Sequence, residues 1–463
     1  MRKFIIKFSS IAMLILTIAS CDKKLDIEPR QSIDATTAIE NTDDVEAAVV
    51  GAYALLGGGS LYGTNLLLLA DIAGSDASAS SSSVARYATW GGTFQGYRQV
   101  YNKSMTRDNS EAARTWTAAY RTINMANIVL SNINLVTNAA KKNTLEGEAL
   151  FIRGIMHFEL VRLYALPWGA TANNDHLGVV IRTAATKTET EAFVKSPRNT
   201  VAEVYQQVIS DLTAAVAKMP NDNGTRADKF TAQAFLARVY LQQGNYAAAR
   251  DAANAVIQSG KYRLNASVTA VFDNKNSNES VWEIQQNDQN NAGTSNDGLA
   301  TFYASLQGIG RGDIRISSGF VNSYGTSDIR RTELFYSGRT NNLHTSKWKS
   351  FSQNIPVIRI AEMYLIRAEA NLRLGTNVGD TPANDYNRTR VRAQFAPVTT
   401  VTLEQIIDEK FKELAFEGLR IHEVKRLRMS VGAFAWNSPR LVFPIPQRDI
   451  DASEGVLIQN PGY

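Results

Sequence analysis

Glu413 and Glu417 stand four residues apart in the string EKFKELAFEG, and two carboxylates at that spacing share one face of a helix. A glycosidase also needs two carboxylates, but it holds them on either side of a scissile bond, roughly 5–9.5 Å apart. Neighbours on one helix face do not bracket a sugar. Arg420 follows three residues after Glu417, so the spacing points to a structural ion pair and leaves acid–base hydrolysis as a remote alternative. The four histidines, His157, His176, His344 and His422, fit neither HExxH nor a Cys/His ligand spacing, so no metal site is expected. His157 sits in an apolar helical stretch and reads as a hydrogen-bonded core residue. No Gly-x-Ser-x-Gly elbow and no phosphate-binding glycine loop occurs, and without a nucleophile beside a base the chain reads as a binding protein without cofactors.

A saccharide offers apolar C–H faces rimmed by hydroxyls, so its site wants flat aromatics flanked by Asp, Asn or Arg. Two long segments supply both. Residues 57–101 carry GGGS, a Ser/Ala tract at 78–83, and Tyr87, Trp90, Phe94 and Tyr97; residues 261–356 are rich in Asn, Ser and Gly, with one alternating strand, SVWEIQQ, and then Phe302 and Tyr303. Insertions of this length are usually functional or disordered, and their aromatics argue against disorder.

The elements that must hold these segments are helices. Residues 145–164 bear apolar side chains on more than one face and predict a helix buried between neighbours. Phe230, Ala234, Ala237 and Leu241 follow the helical period, and after the Gly244-Asn245 turn Ala249, Ala252, Ala253 and Val256 repeat it. The string LARVYLQQGNYAAARDAANAVI resembles a tetratricopeptide repeat, and EMYLIRAEANLRLG resembles the first helix of another. Residues 117–133 with 145–164, and 201–218 leading into Phe230, supply further pairs. A mainly α, tetratricopeptide-like scaffold with long irregular loop insertions follows. PWG at 167–169 and the closing PIPQ and NPGY strings read as chain-turning and terminus-docking devices.

The chain has 463 residues, 44% hydrophobic and 20% charged, with a formal charge of +5, which describes a folded protein with a large core and excludes disordered and collagen-like classes. Arg2, Lys3 and Lys7 precede an apolar stretch at residues 8–18, then Ala19, Ser20 and Cys21, the layout of a signal peptide. Without those three charges the remainder is nearly neutral. The basic spots at Arg388, Arg390 and Arg392 and at Lys425, Arg426 and Arg428 lack interleaved stacking aromatics, so they read as solvated or ion-paired helix faces and no nucleic-acid partner is expected. Ile18-Ala19-Ser20-Cys21 looks like a lipobox that would acylate the chain's only cysteine. Several acyl chains, at ~0.8 kcal/mol per buried CH₂, would hold a protein on a membrane. Asp22, next in the chain, can act as an inner-membrane retention signal in some bacteria, so the lipobox alone leaves the choice of membrane open.

In order along nearly the whole chain, the lipobox with LDIEP, GEALFIRGIMHFELVRLYALPWG, the tetratricopeptide-like segment, NSNESVWEIQQ, SDIRR, IPVIRIAEMYLIRAEA, EKFKELAFEGLRIHEVKRL and PIPQRDI…QNPGY resemble the SusD-like (RagB/SusD) family. The resemblance implies a signal peptide at 1–20 and a single SusD-like domain at 21–463, with an N-terminal part at 21–260 and a C-terminal RagB/SusD part at 261–463. It further implies a surface-exposed outer-membrane lipoprotein, anchored through Cys21, that delivers oligosaccharide to a SusC-like TonB-dependent transporter. By likeness of position, the ligand platform would comprise Asp71, Asp76, Arg86, Tyr87, Trp90, Asn291, Phe302 and Tyr303. Peptide cargo, or a gating role with little ligand contact, are the other readings that the resemblance allows.

Overall fold

Many of the helices begin where a side chain satisfies their first amides. The helix Val201–Lys218 opens on a capping box in which Thr200 Oγ1 accepts from Glu203 N at 3.2 Å and Glu203 Oε2 accepts from Thr200 N at 2.8 Å. Lys229–Gln243 closes on Gly244 at φ 73°, and Asn245 then caps Tyr246–Gln258 through Ala248 N; the left-handed residue between the two helices falls on glycine, where it is least strained. Ala234, Ala237, Ala249 and Ala253 are fully buried where this pair meets.

The computed structural model describes residues 39–463 apart from 193, 294 and 295. Signal peptide, lipobox with Cys21, and LDIEP lie outside the described residues. Among the described residues no helix is long and apolar enough to cross a membrane.

Seven helices form a continuous stack in which each packs on the next: Ser110–Asn132, Ala139–Tyr164, Val201–Lys218, Lys229–Gln243, Tyr246–Gln258, Ile360–Leu374 and Pro382–Arg392. The long second insertion, between Gln258 and Ile360, leaves the stack unbroken. The helix Ala139–Tyr164 is buried on all sides from Gly147 onward. Within it His157 donates from Nδ1 to Arg153 O at 3.0 Å and accepts from Arg182 N at Nε2; burial pushes its pKa down to about 4, which keeps the ring neutral.

The two insertions are not the irregular loops expected. Residues 57–101 contain a helix, Asn65–Ala73, with every residue buried, strand β1 (Ala88–Trp90) and the helix Gln95–Asn102. The second holds β2 (Ser280–Ile284), β3 (Ile314–Ile316), β4 (Phe335–Ser337) and β5 (Leu343–Thr345), and β6 (Ile355–Arg359) leads into the stack. One antiparallel sheet has the order β1-β3-β5-β4, and β2 pairs antiparallel with β6. Three-residue strands are too short for an alternation of two to show in the sequence.

Charged residues of the family-like strings form a buried network with Lys347 and Arg392. Arg359 pairs with Glu279, Glu413 and Glu417; Arg392 with Glu279 and Glu413; Lys347 with Glu417; and Arg330 with Asp328, Glu409 and Glu413. Burial alone would raise the Glu413 and Glu417 pKa values, yet the surrounding arginines and Lys347 hold both below the ordinary carboxylate range. The expected Glu417–Arg420 pair does not form. The helix Leu403–Glu413 ends at Glu413, the chain turns through Gly418 at φ 77°, and a new helix starts at Arg420. The four-residue spacing is therefore not helical here, and Arg420 lies over Tyr87 and Phe411 instead, at 4.8 and 4.5 Å.

The basic spots are likewise engaged: Arg426 pairs with Glu369 and Glu423, while Arg390 and Arg428 stack on Phe395 and Trp436. The C-terminal strings dock as expected, with Asn460 Nδ2 donating to Tyr164 O and Phe443 O at 2.8 Å each and Tyr463 Oη donating to Val442 O at 2.6 Å.

Candidate ligand-binding face

β1 pairs with β3 so that Thr89 lies opposite Arg315 and Trp90 opposite Ile314. Pleating turns Ala88, Trp90, Ile314 and Ile316 inward, and Thr89 and Arg315 outward. Trp90 thus packs beneath the sheet edge, against Tyr97 at 4.8 Å and Phe302 at 5.7 Å.

Beyond β1 the chain passes through Gly91 and Gly92. A Cβ at Gly91 would lie 2.8 Å from Arg315 Cζ, and one at Gly92 would lie 2.7 Å from both Asp313 Cγ and Trp90 Cζ2. At Gly92 a side chain would collide with the buried Asp313 and Trp90, so the turn needs glycine there. The turn delivers Phe94 to the N-terminus of the helix Gln95–Asn102, half-buried, edge-on to Tyr97 and Phe302. The Arg311 guanidinium lies 4.9 Å from the Phe94 ring centroid. It is held there by Asn296 Oδ1 at 3.1 Å, Thr93 Oγ1 at 3.3 Å and Asp313 Oδ2 at 3.0 Å. Arg98 donates to Gly92 O at 3.0 Å from the other side. An aromatic ring, a guanidinium fixed by the buried Asp313, and the exposed Thr93 and Asn296 therefore meet at the surface, the mixture that a sugar's alternating faces and hydroxyls require.

Of the eight expected platform residues, five are buried. Asp71, Phe302 and Tyr303 are 0% exposed, Tyr87 2% and Trp90 6%. Asp71 accepts from Tyr303 Oη at 2.8 Å, and burial pushes its carboxyl up to about 7. Tyr87 stacks on Phe416 at 4.6 Å and its hydroxyl accepts from Phe416 N. Asp71, Phe302 and Tyr303 lie in helices, Trp90 in β1 and Tyr87 just before it, and all five pack into the interior; Trp90 and Phe302 do so in the aromatic cluster that includes Phe94. The other three are partly exposed and engaged in their own turns: Asp76 accepts from Ser78, Arg86 donates to the carbonyls of Ala77 and Ala79, and Asn291 donates to Asn287 O. The structure brings Trp90 and Phe302 together under Phe94, and Asp71, Tyr87 and Tyr303 together around Phe416. It does not bring all eight to one surface. Arg311, Asn296 and Arg315 escaped the sequence reading; the glycine pairs flanking Phe94 and Arg311, in GGTF and GRGD, are the signal that marks them.

A sequence profile of SusD-like proteins, described as starch-binding and associating with the outer membrane, matches residues 25–241, and a SusD family profile matches residues 336–442. Between them they span more than half of the chain. The protein belongs to the SusD family. SusD-like protein P2 of Formosa agariphila is 28% identical, over 100% of this chain and 97% of its own length. The starch-binding protein SusD of Bacteroides thetaiotaomicron is 32% identical over 27% of each chain. A SusD superfamily crystal structure from B. thetaiotaomicron superposes with a TM-score of 0.79 at 26% identity, covering 91% of this chain and 100% of that one. Surface glycan-binding protein A of the same organism shares the fold at 18% identity, with a TM-score of 0.73, covering 92% of this chain and 100% of that one. This SusD-family chain is mainly α, as expected, with the Phe94–Arg311 face beside the β1–β3 pair.

Proposed function

We propose that the protein captures an oligosaccharide at the outer membrane and hands it to a SusC-like TonB-dependent transporter without transforming it. The observation that carries this reading is the stack of Arg311 on the half-buried Phe94, ringed by Thr93, Asn296 and Asp313. The family's description as starch-binding and outer-membrane-associated supports it. In this reading residues 1–20 are a signal peptide, Cys21 carries the lipid anchor, and 21–463 is one domain, joined at about residue 260, exposed on the cell surface. A captured ligand must be released inward, so modest affinity and fast dissociation suit the task. Hydrolysis lacks support at Glu413 and Glu417, since both carboxylates are buried and ion-paired.

The test is a binding panel of polysaccharides, oligosaccharides and peptides against the full-length protein in detergent, with product analysis of the incubated glycans. Selective, unchanged glycan ligand is the expected result. Binding of peptides alone would replace the cargo, and released sugars would replace the mechanism.

A further inference from the structure

A second concavity, open and about 700 Å³ in volume, lies between the end of the helix Thr42–Leu56, one face of the helix Ser110–Asn132 and the segment 446–448. Its volume is that of a small-molecule site. Ala54, Leu55, Ala113 and Ala118 supply an apolar floor, and among the described residues no aromatic side chain lines it. The polar lining is dominated by guanidinium groups: Arg107, Arg114, Arg121 and Arg448, against one carboxylate, Asp108.

These four arginines differ in what already holds them. Arg114 is neutralised by Glu111 and Asp297. Arg121, exposed one helical repeat further along, has no hydrogen-bonding or ion-pair partner among the described residues. Arg448, its side chain 75% exposed, reaches among the described residues only Thr117 Oγ1 at 3.3 Å and Asp449 at 3.8 Å. Arg107 touches Gln447 Oε1 at 3.3 Å. Three solvent-facing guanidinium groups thus line one concave space, with Asp108 in its wall and Asp449 beside Arg448 at 3.8 Å. Guanidinium forks match carboxylate and sulfate oxygens two at a time. The groove also adjoins the Phe94 face through consecutive residues, since Asn296 holds Arg311 and Asp297 holds Arg114.

We propose that this groove is a second binding site, for the anionic substituents of an acidic saccharide, carboxylate or sulfate ester, which Arg107, Arg121 and Arg448 take as bidentate ligands. The proposal rests on the reading that the cargo is a saccharide and narrows its class. Concavity and an apolar floor favour a saccharide over a membrane surface, which a convex basic patch would meet better.

The test titrates the full-length protein in detergent with two matched pairs: oligogalacturonate against its methyl ester, and sulfated galactan against its desulfated form. The charged member of at least one pair should bind at least ten times more tightly at low ionic strength, and added salt should erode that preference. Replacing both Arg121→Ala and Arg448→Ala should abolish the preference while affinity for the neutral member stays unchanged; Arg121→Lys with Arg448→Lys should restore part of it. Equal affinity within both pairs, or a charge preference that survives the alanine replacements, overturns the proposal while saccharide capture stands. If no saccharide binds and peptides do, capture itself fails, and this inference with it.

Discussion

Arg359 grips Glu417 through Nε and Nη2, at 2.8 and 2.9 Å, and so ties the strand that opens the last long scaffold helix to a turn 58 residues away. Both side chains are buried, with Glu279 and Glu413 on the same guanidinium. Removing one member of such a pair leaves uncompensated buried charge, which costs about 3–5 kcal/mol. Arg359→Ala should therefore lower the unfolding free energy by roughly that amount in urea titrations, and a loss below ~1 kcal/mol would place the pair among weak surface contacts instead.

Asp71 sits under the sheets with its carboxyl pushed from an ordinary 3.8 up to about 7 by burial. The folded state therefore holds a proton there that the unfolded state releases. Its contribution to stability is fully present below about pH 4 and is lost as pH rises through 7, on the order of a few kcal/mol. His157, pushed down to about 4, gives the opposite slope below pH 6.5. The clean observable is the difference between wild type and Asp71→Asn, measured by denaturant unfolding at several pH values. That difference should move against the wild type from pH 4 to pH 7; a pH-independent difference would mean that Asp71 is ionised throughout.

How much of this was legible from residues alone depended on the range over which the physics acts. Thr200 and Glu203, or Gly244 and Asn245, fix helix ends by local hydrogen bonds and backbone angles, so the scaffold helices could be read directly. The burial of His157 followed from its apolar neighbours. Trp90 and Phe94 look alike in sequence, by contrast, and only the pairing of β1 with β3 turns the first inward, while the Gly91-Gly92 turn leaves the second half-buried at a helix start. Glu413 and Glu417 misled because a helix end fell between them, a boundary set by the tight turn at Gly418, where a Cβ would lie 2.6 Å from Leu67 Cα. The arginine groove joins positions 107, 121 and 448, and no local pattern links those residues.

Anchoring through Cys21 predicts that Cys21→Ala abolishes incorporation of a labelled fatty acid and moves the protein from the membrane to the soluble fraction. Retention of the variant in the membrane would assign attachment to another segment. Protease applied to intact cells should degrade the wild-type protein if it faces outward, and its protection would place it on the inner side.

The most direct test of the account is the affinity of full-length protein for its best-binding glycan, compared with Phe94→Ala and Arg311→Ala. Stacking and guanidinium contacts of ~1–1.5 kcal/mol correspond to about a tenfold change. Each variant should therefore bind roughly ten times more weakly while keeping a cooperative unfolding transition, its midpoint lowered only as far as the lost packing of Phe94 or the unpaired Asp313 requires. Unchanged affinity in both variants would contradict the assignment of this face as the site of capture.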